Sequence, residues 1–358
     1  MHPNAHEIVI FFGFLIFLSM MLSLDLGVFN RKSHALTFRE AMIWTMVWIG
    51  ISFGFYLLLR FFGNQLHDIT DIEGIKSNMK HFHHPIQIDG LTFQEAVKVY
   101  NINLSLEFIT GYLIEYSLSV DNIFVIIMIF LSFNIQPKYY HRVLFWGILG
   151  AIVMRFLFIF LASALIQRFD WILWVFGGML IFLGGKMGWE FFSRKNEDRI
   201  DTVHHPVVRF ISKFFLVASE DTGKHFWIRK NGRFYITHIL IVLIIIELSD
   251  VLFAVDSVPA VFSVTLDPYI VFFSNIFAIL GLRSLFFLVM DVMNRFRFLK
   301  LGLAFLLFFV GVKMFFGLHI STTITLSVIL GILVFFAGLS LLLPVSKVKP
   351  SGDKLLRK

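Results

Sequence analysis

Six carboxylates stand inside stretches of sequence that are otherwise apolar: Asp25, Glu115, Asp121, Glu247, Asp250 and Asp256. Four bases share such surroundings, Arg155, Lys186, Arg283 and Lys313. An ionisable side chain in the middle of a bilayer costs about 3 kcal/mol on insertion scales, so it is paired, solvated or functional. Six acids against four bases leave two negative charges, which a divalent cation would neutralise. Glu247 and Asp250, three residues apart, share a helical face, whereas Glu115 and Asp121 are six apart, about 9 Å along a helix. One ion cannot bridge the second pair, so a partner helix has to bring further carboxylates. Asn122 and Ser257 each follow an Asp and add neutral oxygens. Pro259 cannot donate a backbone hydrogen bond, which frees the carbonyl of Val255 as another oxygen donor. Oxygen-only donors suit hard cations such as Mg, Ca or Mn. With no cysteine in the chain, a thiolate metal site, a disulfide framework and a CxxC redox centre are all excluded. His238, the nearest histidine within an apolar stretch, reads as a bystander.

The elements that must hold these groups are set by composition. Hydrophobic residues make up 58% of the chain, 46 of the 358 are Phe, and only 15% are charged, so water is not the main solvent of the fold. Nine mostly apolar stretches are long enough to cross a core of about 30 Å: 7–29, 40–62, 107–133, 142–165, 170–192, 235–262, 268–292, 299–317 and 323–343. The first lacks the basic start and cleavage site of a signal peptide and reads as a retained helix. The expected fold is therefore an all-α membrane protein of about nine transmembrane helices. Of the 31 Lys and Arg residues, with Arg60, Arg142 and Lys300 at span ends counted in the adjoining loops, 22 fall after the odd-numbered spans and in the tail, five in the N-terminus and remaining loops, and four within spans. Basic residues in short loops stay cytoplasmic, which puts the N-terminus outside and the C-terminus inside. The net charge of +7 thus serves topology and implies no nucleic-acid partner.

Six regions follow: residues 1–62 with the first two spans, an extracytoplasmic loop at 63–106, a three-helix unit at 107–192, a basic cytoplasmic loop at 193–234, a second three-helix unit at 235–317, and the ninth span with its basic tail at 318–358. The outer loop carries His67, His81, His83 and His84, as a metal-catching patch or as a solvated polar loop. The inner loop, with RKNGRF, reads as a segment on the membrane surface. The two units read as copies. RFDWILWVFGGMLIFLGGKM from Arg168 aligns without gaps with RFRFLKLGLAFLLFFVGVKM from Arg295, Arg155 matches Arg283 upstream, and EYSLSVDNIFV and ELSDVLFAVDSVPAV lead the two copies. Three spans per unit is an odd number, so the second copy enters the bilayer inverted, the plan of many secondary transporters with a site where the repeats meet. Antiparallel pairing of the leading helices sets Asp121 level with Asp250 and Glu115 level with Asp256. LSLDLGVF around Asp25 echoes the same pattern and adds span 1 to the expected site.

At EYSLSVDNIFV and ELSDVLFAVDSVPA, and further at TGYLIEYSLSVDN, RKNGRFY and TLDPYIVFFSNIFAILGLR, the sequence resembles the TerC/Alx family of bacterial membrane proteins, grouped with tellurium-resistance proteins. The resemblance covers nearly the whole chain and implies manganese (Mn²⁺) export across the cytoplasmic membrane, with Glu115, Asp121, Glu247, Asp250 and Asp256 at the family's acidic positions. The outer loop departs from the shorter members. The expected function is a secondary transporter exporting a divalent cation, with Mn²⁺ as transported ion, protons as a candidate coupling ion and no cofactor. A non-transporting scaffold or stress-complex subunit, whose buried charges are structural, is the alternative, followed by an exporter of small organic cations. No P-loop, HExxH or nucleophile elbow is present, and the chain reads as no enzyme.

Overall fold

The computed structural model describes residues 12–21, 37–133, 135–169, 171–193, 216–217, 226–230, 233–292, 298–318 and 320–343. Within them lie helices α1 Phe12–Met21, α2 Phe38–Phe62, α3 Ile72–Phe82, α4 Phe93–Ser132, α5 Pro137–Arg168, α6 Trp171–Phe192, α7 His238–Phe262, α8 Pro268–Leu280, α9 Leu282–Val292, α10 Leu299–Phe315 and α11 Thr322–Leu342. The all-α membrane class holds. Among the described residues, which leave out most of the first expected span, length and apolarity give fewer than the nine expected spans: α2, α4, α5, α6, α7 and α11 qualify, six in all, and α8 with α9 make a seventh if the pair, bent by 46°, is one span. The bend falls at Gly281, splitting the helix expected over 268–292. At 17 residues, α10 is short of the roughly 20 that a straight crossing takes.

Two expected loops contain structure. The segment at 63–106 holds a 3-10 turn at Gly63–His67, then α3, then the first turns of α4. The α4 helix begins well before the expected residue 107 because Thr92 and Glu95 form a capping box, in which the Thr92 N–H and hydroxyl donate to the Glu95 carboxylate at 2.9 and 2.8 Å. The basic segment before α7 contributes three short strands: β1 Leu216–Val217, β2 Trp227–Lys230 and β3 Arg233–Ile236, in the order β1-β3-β2. β2 and β3 pair antiparallel with Lys230 opposite Arg233, and β1 pairs parallel to β3.

α4 lies at the centre, packed against α2, α7, α8, α9 and α11. α8 is its innermost neighbour: every residue from Ile270 to Leu280 is buried, so the helix is apolar all round, as a core helix must be. Rings from four helices fill the space between, with Phe14 against Phe273 at 4.5 Å and Phe55 against Phe108 at 5.0 Å between centroids. α6 and α10 approach most closely, through glycines. A Cβ at Gly184 would lie 2.7 Å from the Ala304 carbonyl, and one at Gly311 would lie 2.9 Å from the Gly177 carbonyl. Small residues let backbones meet this way in membranes, where dispersion replaces the hydrophobic effect as the driving force.

Candidate functional site

Arg155 on α5 has no exposed surface. A guanidinium in such a place costs several kcal/mol unless its charge and its donors are met. Three helices contribute partners. Glu115 of α4, also fully buried, takes a hydrogen bond from Arg155 on Oε1. Asn275 of α8 accepts on Oδ1 at 2.5 Å, and Ser257 of α7 accepts on Oγ at 3.3 Å. Asp250, two turns before Ser257 on the same face of α7, stands 3.6 Å from the guanidinium. The Asn275 amide nitrogen donates to the Val271 carbonyl at 3.1 Å, which turns its oxygen toward Arg155.

The centre carries two carboxylates for one guanidinium, so its formal charge is −1. Neither Glu115 Oε2 nor Asp250 Oδ2 has a hydrogen-bond partner. Asp250 keeps 15% of its side chain exposed and lines a small cavity of about 30 Å³ with Asn122, Gly147, Ala151 and Phe253. That volume holds one or two waters, or a bare ion. Glu247, one turn before Asp250 and within electrostatic reach of it, packs against the backbone of Gly150, where any side chain would collide with its carboxylate. Asp256 lies within electrostatic reach of Asp121 and Lys186.

The structure thus gathers Glu115, Arg155, Asp250 and Ser257 around one point, places Asn122 on Asp250's cavity, and leaves Asp121, Asp256 and Glu247 as partly buried acids; Glu115 meets Asp250 and Asp121 lies near Asp256, in place of the expected pairs Asp121–Asp250 and Glu115–Asp256. Among the described residues, no three Asp, Glu or His side chains are placed to hold one metal ion, because Arg155 itself occupies the centre and draws Glu115 and Asp250 onto it. Asp25 lies outside the described residues. Of the other bases, Arg283 is buried and stands 3.2 Å from His141, Lys313 donates to the Ser263 carbonyl at 2.9 Å, and Lys186 is on the surface 3.9 Å from Glu190. Asn275 is the partner that sequence reasoning missed. Its signal was a carboxamide inside FFSNIFAIL, a run with no other strong polar group.

A polytopic bundle of long apolar helices with ionisable groups buried between them is an integral membrane protein. Comparison with known proteins narrows the class: the integral membrane protein TerC family matches residues 101–349, and the chain belongs to that family. It is 40% identical over 325 residues to the "Putative membrane-bound redox modulator Alx" of Escherichia coli (strain K12), covering 90% of this chain and 91% of that protein. It is 40% identical over 333 residues to "Uncharacterized membrane protein STKORF319" of Myxococcus xanthus, covering 92% and 91%, and 35% identical over 318 residues to an "Uncharacterized membrane protein" of Rickettsia bellii (strain RML369-C), covering 87% and 91%. No solved structure matches the chain.

Proposed function

We propose that the protein is a secondary transporter that exports a divalent cation, Mn²⁺ above others, across the bacterial cytoplasmic membrane, with the Arg155 centre as its intramembrane station. The observation that carries this reading is the surplus of carboxylate: two acids on one arginine, with an unpartnered oxygen on each. In this reading Arg155 is a tethered cation. It holds Glu115 firmly and Asp250 loosely, at 3.6 Å. An arriving dication takes Asp250, with oxygens of Asn122 and Ser257 beside it, and the guanidinium falls back onto Glu115 and Asn275. Glu247, Asp121 and Asp256 are the carboxylates on either side through which the ion would pass, and any of them could carry a coupling proton in exchange. Hard oxygen donors and the absence of cysteine favour Mn²⁺ over copper or zinc. The basic-residue distribution places the C-terminus in the cytoplasm, and the 63–92 segment outside.

Purified protein in liposomes tests this directly. Mn²⁺ flux should fall at least about tenfold in Asp250→Asn, the loss of one charged ligand being worth more than one such factor. Flux at the wild-type rate in a folded Asp250→Asn variant would count against the site.

One observation favours a second reading, a membrane scaffold with structural charges. Among the described residues no three acidic side chains converge, and Glu115 and Asn275 already engage the Arg155 guanidinium. That reading predicts that the charge-neutralising pair Glu115→Gln with Arg155→Gln keeps function, whereas a transporter loses it. The redox role in the relatives' printed name would need chemistry other than thiol–disulfide exchange here, since the chain has no cysteine.

A further inference from the structure

Two of the four histidines of the 63–106 segment are buried. His67, at the end of the 3-10 turn, sits 2.9 Å from Asp267 through Nε2, and both side chains are closed to solvent. His84 follows His83, whose left-handed backbone (φ 55°) ends α3 and turns the chain inward. It reaches Glu107 of α4 through Nδ1 at 2.8 Å, and both side chains have zero exposure. The two pairs are one cluster, because His84 feels the charges of both Asp267 and His67. Its surroundings come from five elements. Asn103 of α4 donates to Glu107 at 2.7 Å and accepts from Thr322 of α11 at 3.2 Å. Asp267 accepts from the Tyr269 N–H at 2.9 Å as the cap of α8. Rings of Phe82, Tyr100 and Tyr269 pack on the imidazoles, and Lys313 of α10 is within electrostatic reach of Glu107.

We propose that His67, His84, Glu107 and Asp267 form a proton-binding site, separate from the Arg155 centre, whose occupancy clamps the 63–92 segment onto the helix bundle and whose deprotonation releases it. The ionisable side chains that the segment brings to this contact are the two imidazoles, while both carboxylates belong to the bundle. Each pair is closed to water, so a neutral imidazole leaves a buried carboxylate facing no counter-charge from the segment. A neutral imidazole can still donate its Nδ1–H to Glu107, so what deprotonation removes is the counter-charge to a carboxylate whose Oε2 has no hydrogen-bond partner. Burial disfavours the His84 imidazolium, but the charge and hydrogen bond of Glu107, with Asp267 behind them, outweigh it and raise its pKa above the ordinary 6.5. Burial likewise opposes ionisation of Asp267, and His67 overcomes it and lowers the pKa below the ordinary 3.8. The signs set a window: the His84 contribution is complete below 6.5 and is lost as pH rises through its raised value, whereas that of Asp267 is complete above 3.8 and is lost as pH falls through its lowered value. The clamp therefore opens on the alkaline side. Beside it lie two adjoining, partly open clefts of 680 and 560 Å³, which share His83, Leu173, Phe262 and Leu266. The smaller is lined by His84, Thr265 and Lys313, so release would expose Lys313 and the end of α7 to water.

The test uses the full chain in lipid nanodiscs, with no metal or transport assay. Exchange at histidine C2, read by mass spectrometry from about pH 5 to about pH 10, gives the titration midpoints of His67 and His84. Amide exchange of peptides from 63–92, corrected for its intrinsic pH dependence, reports the clamp. The expected result is a His84 midpoint above 6.5 and a protection that drops about tenfold per pH unit through it. Glu107→Gln should bring the midpoint to 6.5 or lower and flatten that drop. A wild-type midpoint at or below 6.5, protection indifferent to pH, or an unchanged drop in Glu107→Gln would overturn the proposal.

Discussion

At the scale of the residue, the molecule is decided by how Arg155 is held. A buried ion pair seldom adds net stability against an apolar substitute, yet removing one partner strands the other and costs about 3–5 kcal/mol. Arg155→Met should therefore lower the unfolding temperature of the purified protein severely, by stranding Glu115, which has zero exposure. Adding Glu115→Gln to Arg155→Met should restore part of the loss, and a thermal-shift series over the wild type, the single and the double variant measures both. Asn275→Ala removes one neutral acceptor from the guanidinium and should cost less, about 1–3 kcal/mol. Arg155 and Glu115 were legible in the sequence because a charge in an apolar run is rare enough to demand a reason. Asn275 was not, since a lone amide raises no such demand, and its partner is 120 positions away.

At the scale of the element, hydropathy located the helices but misjudged where several begin and break. It could not see the start of α4, where the signal was the Thr92–Glu95 capping box and not apolarity. Nor could it see the strands β2 and β3, although Asn231-Gly232 between β-prone residues is a strong hairpin signal in sequence. The pairing of α6 with α10 carries a further consequence. Under the ungapped alignment of these segments, Gly184 corresponds to Gly311, and Gly177 to Ala304. Gly184 touches Ala304 and Gly311 touches Gly177, the reciprocity that a two-fold between the segments would give. Because the nearest atoms are backbone, a side chain cannot be accommodated by a rotamer change. Gly184→Leu and Gly311→Leu should each destabilise the protein by at least the 1–3 kcal/mol typical of overpacking, about equally. Gly185→Leu, where nothing lies within 4 Å, should be neutral. Detergent-solubilised unfolding curves of the three variants compare them, and a neutral Gly184→Leu would contradict the close approach.

At the scale of the whole molecule, the orientation read from basic residues makes a separate claim. A protease site or reporter inserted at the C-terminal tail or beside Arg209 should be reached from the cytoplasm, and one beside Lys76 from the opposite side. A tail reached from outside would reverse the direction of every flux proposed above. The sequence by itself determined that the chain lives in a membrane, that it is helical, and that a handful of ionisable groups sit where lipid should exclude them. Those are one-dimensional properties: a span is a run of about 20 apolar residues, and a charge within it stands out from its own neighbours. Only the tertiary structure decided which charges meet. Glu115, Asp250, Ser257 and Asn275 converge on Arg155 because four helices cross at one depth. His67 and His84, which as residues of a polar segment read as solvated or metal-catching, are instead shut in against Asp267 and Glu107. Helix register and rotation come from side chains interlocking between segments far apart in the chain, and no local pattern along it encodes which of its polar groups that packing will enclose together.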